Sequence, residues 1–280
     1  MKLILLPLLS ASCFAIGNIL QKKGLVTVDT KCRSIKSFII LIIQNIHWWL
    51  GILISALAIF LYYYALSFGN LTLIQPLMVF NPILSTILGI LFFKENLNII
   101  IFFALLLSMT GIVLVSLQSY EKPGDFYFNK WLFSLICCII IISIYYIRGI
   151  DAEFRFSLIA GIGFGISSIV WKSLMIEAAQ EAIGSRQLQI QIIHFLTSPL
   201  LWFFCSTYIV GFVASQIALT KGRVIIVVPL SGALGLVIPM IGGIILFQEY
   251  VLPIRIAGII LIFIGCFLFV PVFPGNEINR

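Results

Sequence analysis

One stretch of this chain occurs twice. Residues 65–95, ALSFGNLTLIQPLMVFNPILSTILGILFFKE, return as residues 218–249, ALTKGRVIIVVPLSGALGLVIPMIGGIILFQE. Ala65, Leu66, Gly69, Pro76 and Leu77 match Ala218, Leu219, Gly222, Pro229 and Leu230 at one offset, and Phe93 and Glu95 match Phe247 and Glu249 after a slip of one residue. Upstream, Phe14, Ile16, Ile19 and Lys22 correspond to Phe164, Ile166, Ile169 and Lys172. A duplicated apolar unit of this kind is a signature of transporters more than of enzymes.

Composition decides the solvent. With 61% hydrophobic and 10% charged residues, the chain has too little polar surface to cover an aqueous domain. No run of alternating apolar and polar residues is long enough for a membrane barrel, which leaves an all-α polytopic membrane protein. The net charge of +7 would suggest nucleic acid in a soluble protein, but here the basic residues sit in short connections between apolar runs, where they set orientation. No nucleic-acid partner is expected; the partners are the lipid bilayer and a small-molecule or ion substrate. Five of six cysteines (Cys13, Cys137, Cys138, Cys205, Cys266) lie in apolar runs and Cys32 lies in a basic loop, with no Cys-x-x-Cys and no His cluster. No metal site, disulfide framework or cofactor follows from that pattern. The opening residues resemble a signal peptide, but their apolar run ends at Lys22 and Lys23 like an anchor.

Taken in order, the apolar runs predict nine spans, at about 3–20, 48–67, 71–93, 97–117, 131–147, 156–175, 200–219, 224–247 and 254–270. Spans six to nine repeat spans one to four, and span five has no counterpart. The expected organisation is a first repeat over 1–118, a linker and unpaired span over 119–154, a second repeat over 155–270 and a polar tail over 271–280. An odd number of spans before the second copy inverts it, giving a 4 + 1 + 4 inverted repeat. Connections after odd-numbered spans carry eleven Lys and Arg residues against six on the other side, which predicts an outside amino terminus and a cytoplasmic carboxyl terminus in the cell membrane. The ten apolar residues 37–46 read as an interfacial helix, with a tenth span as the alternative. Trp48 and Trp49 open the second span as a headgroup-level aromatic pair.

The Ala-Leu-x-x-Gly step, a proline ahead of a small-residue helix, and Phe-x-Glu before a span carrying Gly111 or Gly265 resemble the drug/metabolite transporter superfamily and its EamA-like members. That resemblance covers nearly the whole chain and implies a secondary carrier with a central site between inverted halves. Lys22-Lys23-Gly24-Leu25 at the close of the first span and Trp48-Trp49-x-Gly51 at the opening of the second are similar to NIPA-type magnesium transporters. The related small multidrug resistance family carries a membrane carboxylate where this chain has Phe14, and Phe164 in the second copy. A phenyl ring cannot titrate, so proton coupling through that position is not supported.

Polar residues inside the spans are the natural candidates for a substrate path. Asn18 and Ser168 are repeat partners, as are Tyr63 and Gln216, while Gln75 and Asn81 each precede a proline. The same residues could instead join helices by hydrogen bonds. Pro76, Pro82, Pro229 and Pro239 are candidates for kinks or gates, since each lacks a backbone donor. Gly232, Gly235 and Gly242 read as a packing stripe, Glu95 and Glu249 as solvated helix ends, and Lys22 and Lys172 as interfacial anchors. The functional expectation is alternating-access transport of a small organic solute, metabolite or drug-like; magnesium transport, a membrane enzyme and a structural subunit are the alternatives. No Gly-x-x-x-x-Gly-Lys-Ser/Thr loop is present to bind ATP. No paired carboxylates or Ser-His arrangement suggests catalysis either.

Overall fold

The computed structural model describes residues 2–29, 40–69, 71–95, 99–116, 152–184, 195–247 and 252–268. Its helices in chain order are α1 (Lys2–Asp29), α2 (Ile46–Phe68), α3 (Leu71–Leu77), α4 (Phe80–Phe93), α5 (Ile99–Ser116), α6 (Ala152–Gly184), α7 (Pro199–Lys221), α8 (Val224–Leu246) and α9 (Pro253–Leu268). Among the described residues, six stretches are long and apolar enough to cross a membrane: Ile4–Val28, Ile46–Phe68, Leu73–Phe93, Ala152–Ala179, Pro199–Lys221 and Val224–Leu246. α5 and α9 contribute the shorter apolar runs Phe102–Gly111 and Ile256–Gly265. The expected fifth span, the linker before it and Glu249 lie outside the described residues.

The surface is that of a protein in lipid. Phe60, Leu91, Phe92 and Trp202 are 65%, 68%, 68% and 66% exposed, an arrangement costly in water and ordinary against acyl chains. Polar residues point the other way: Gln21, Gln75, Ser10 and Ser167 are buried.

The helices pair along their lengths, α1 with α2, α6 with α7 and α5 with α9, while α8 packs against α6, α4 and α3. Backbone contact between small residues permits this closeness. A Cβ on Gly163 of α6 would stand 2.8 Å from Gly211 Cα of α7, and one on Gly51 of α2 would stand 2.8 Å from the Gly17 carbonyl of α1. Asn45 caps α2 by accepting from His47 N and Trp48 N, and its amide also donates to the Gly24 carbonyl at 3.5 Å. The chain therefore leaves α1 and enters α2 at one end of the bundle. α2 and α7 stop in the same way, on Gly69 and Gly222, whose N–H groups return to Ala65 and Ala218.

Three expectations change. The first helix does not stop near residue 20 but runs to Asp29, and α6 likewise continues to Gly184, so Lys22 and Lys172 are mid-helix residues. The third span is not one kinked helix. Pro76 and Pro82 bracket a break at Met78 and Val79, where Met78 N bonds to the Gln75 carbonyl and Val79 N to the Pro76 carbonyl in tight turns. α8, by contrast, is continuous through Pro229 and Pro239.

Candidate functional site

Where α1, α2, α4, α6, α7 and α8 converge there is a cavity of about 490 Å³. Its wall is largely aromatic and aliphatic. Phe14 and Phe164 face it from repeat-related positions, joined by Trp48, Tyr62, Tyr208 and Phe212. Among the described residues, no Asp, Glu, Lys, Arg or His lines it. Its polarity comes from amides and hydroxyls alone, a wall suited to a few placed hydrogen bonds within an apolar enclosure.

Of the sequence candidates, Asn18, Tyr63, Gln75, Asn81 and Ser168 line this cavity together with Pro82. Gln216, Pro76, Pro229 and Pro239 do not. Asn18 of α1 donates to the Asn81 Oδ1 of α4 at 3.4 Å, and Ser85 donates to the same oxygen at 3.1 Å. A second network is a relay: the Gln75 amide donates to the Tyr62 hydroxyl, Tyr62 donates to Ser168 Oγ at 2.8 Å, and Ser168 donates to the Phe164 carbonyl at 2.9 Å. Gln75 is 2% exposed, so its amide is chiefly a wall element. Tyr63 and Gln216, expected to act as a repeat-related pair, fall into separate networks. Tyr63 shares a 3.0 Å bond with Ser167, whereas Gln216 donates to Gln21 Oε1 at 2.6 Å and accepts from Trp48 Nε1 at 3.1 Å. Gln21 in turn donates to Ser55 at 2.8 Å, binding α7 to the α1–α2 pair.

The charged residues form a lock at one end of the bundle. Lys22 Nζ lies 3.0 Å from Glu95 Oε1 with both side chains over nine-tenths buried, and it also donates to the Gly222 carbonyl at 2.9 Å. Glu95 accepts from Val224 N and Ile225 N at 3.0 and 2.9 Å, satisfying two orphan donors at the start of α8. Glu153 accepts from Arg223 N at 2.9 Å, and its side chain lies so close over Gly222 that a Cβ there would be 2.4 Å from Glu153 Cγ. The solvated-end reading of Glu95 and the interfacial reading of Lys22 are therefore corrected: each is buried because it meets an opposite charge and backbone groups from distant helices. Lys172, 8% exposed, is corrected on the same ground, with its ammonium on the Leu66 and Gly69 carbonyls at 3.3 and 2.6 Å. Lys22 recurs in register as Lys172, and both are buried.

The glycine stripe of α8 also divides. Gly242 packs against Ile169, where a Cβ would meet Cδ1 at 2.6 Å, but Gly232 and Gly235 line the cavity and a Cβ there would meet its first neighbours only at 3.5 and 3.7 Å. Tyr62 and Tyr208 were missed in the sequence. They lie among several consecutive or clustered aromatics, and helical periodicity alone does not choose which ring faces inward.

Apolar helices of membrane-crossing length and lipid-type exposure define a multi-pass membrane protein, here with a central cavity. Residues 1–117 match the model of the EamA-like transporter family, in line with the resemblance read from the sequence. No curated protein and no solved structure matches the chain.

Proposed function

We propose that the protein is a secondary carrier that moves a small organic solute, metabolite or drug-like, by alternating access. Its two copies of four spans are inverted about a linking span, and they rock around the central cavity. The observation that carries this reading is the cavity itself, lined from repeat-related positions such as Phe14 and Phe164 and, among the described residues, by no acidic or basic side chain. Reciprocal ties support the inversion. Lys22 of the first copy holds Gly222 of the second, and Lys172 of the second copy holds Gly69 of the first. The bias of basic residues orients the amino terminus outside and the carboxyl terminus in the cytoplasm.

The magnesium alternative draws less support, because that ion favours hard oxygen ligands with one or two carboxylates. The cavity offers none, and the described residues contain no group of three or more His, Cys, Asp or Glu able to hold a metal. Counterflow in proteoliposomes, run over a panel of uncharged, anionic and cationic organic solutes and Mg2+, tests the proposal. Saturable flux of an organic solute is expected. Flux of Mg2+ alone, or of nothing, overturns it.

A further inference from the structure

The cavity's polar side chains are not equally available. Gln21 is committed to Ser55 and Gln216, and the Tyr62 and Ser168 hydroxyls to the relay that ends on the Phe164 carbonyl. Asn18 and Asn81 differ. Both are part-exposed on the cavity, and their mutual bond of 3.4 Å is long. Ser85 also donates to Asn81 Oδ1, at 3.1 Å, so that oxygen is the shared acceptor. Among the described residues, Asn18 Oδ1 accepts from none and Asn81 Nδ2 donates to none. An acceptor on α1 and a donor on α4 are thus unspent in the wall of one cavity.

Their surroundings set the shape of what fits. Phe14 precedes Asn18 by one helical turn, and Phe164 faces the same cavity from α6. Opposite Asn81 and Pro82, α8 presents Gly232 and Gly235 with no side chain in the way; a Cβ at Gly232 would stand 3.5 Å from Pro82, and one at Gly235 3.9 Å from Phe164 Cβ. The largely aromatic wall of the cavity suits a flat ring, and the two amides suit a group that both donates and accepts. A carboxylate or ammonium would enter without a counter-charge from the described residues, none of which brings one to the cavity wall.

We infer that Asn18 and Asn81 form the hydrogen-bonding end of this cavity and that it takes an uncharged aromatic solute carrying a carboxamide or lactam. This rests on the transport reading for its biological sense, but the binding it asserts is measurable without transport.

Three probes of matched size, benzamide, benzoate and benzylammonium, separate the possibilities. Each is titrated against the full-length protein in nanodiscs, reading the ligand-dependent rise in thermal unfolding midpoint. Benzamide is expected to stabilise saturably, with both charged probes at least about tenfold weaker. Asn81→Ala and Asn18→Ala should each weaken benzamide by about tenfold, and Gly235→Val should weaken it by filling part of the cavity that Gly235 lines. Benzoate or benzylammonium binding as tightly as benzamide overturns the inference, and so does absence of benzamide binding. Undiminished benzamide affinity in both Asn variants overturns it as well. The wild-type comparison stands if a variant fails to fold. Saturable benzamide binding with no flux of any solute would sink the transport reading and leave the site intact.

Discussion

Lys22 and Glu95 are separated by 73 positions in the chain and by 3.0 Å in the fold. Taking either charge out of water is expensive, and what offsets it here is the pairing together with the backbone groups of residues 222, 224 and 225. Removing one partner leaves the other charge buried and uncompensated, which typically costs about 3–5 kcal/mol. Lys22→Met and Glu95→Ala should therefore each lower the unfolding midpoint of the purified protein sharply. The double variant should be less destabilised than the sum of the two, and strict additivity would show that the pair is not coupled. At this scale the sequence identified the right residues but not their state. Asn18, Asn81 and Ser168 were recognisable as intramembrane polar groups, whereas the partners of Lys22 and Glu95 lie on helices that only the fold brings near.

At the scale of elements, small residues serve two purposes that look alike in sequence. Gly163 is where α6 and α7 touch backbone to backbone, so a methyl there meets Gly211 Cα at 2.8 Å and the Thr207 carbonyl at 3.0 Å. Gly235 sits on a helix as well, but a methyl there meets only ordinary contacts at 3.7 Å and beyond. Gly163→Ala should destabilise the protein by about 1–3 kcal/mol through forced separation of the helices. Gly235→Ala should leave the midpoint unchanged or raise it slightly, since alanine is the better helix former by about 1 kcal/mol. Thermal unfolding of the two variants side by side checks this, and equal losses would remove the distinction between a packing glycine and a cavity glycine. The broken third span has a similar lesson. Two prolines forecast a disturbance, but whether the chain bends or ends one helix and starts another depended on turns at Met78 and Val79 that its neighbours stabilise. α8 also holds two prolines, Pro229 at the position of Pro76 and Pro239 in place of a proline at the position of Pro82, yet it is continuous and packs against α6, α4 and α3.

For the molecule as a whole, the Lys22–Gly222 and Lys172–Gly69 contacts tie helices at opposite ends of the bundle, and under the proposed alternating-access mechanism one tie loosens as the other holds. Lys22→Met should expose the cavity to one side of the membrane and Lys172→Met to the other. A Ser231→Cys reporter on the cavity wall, in a background lacking the native cysteines, reads this through labelling by a membrane-impermeant thiol reagent applied from each side in turn. The reagent should gain access from the cytoplasmic side in the first variant and from outside in the second; the same sidedness in both would defeat the two-gate account. The sequence by itself determined that lipid is the solvent, that the structure is helical and that a unit recurs, because apolar run length and internal repetition are properties of the chain taken one position at a time. Only the tertiary structure decided which amides stay free on the cavity, which disappear into its wall, and which lysine finds a carboxylate. Helical periodicity fixes a side chain's direction about its own axis and nothing more. The Lys22–Gly222 contact joins residues 200 positions apart, and it exists only because two helices cross where they do.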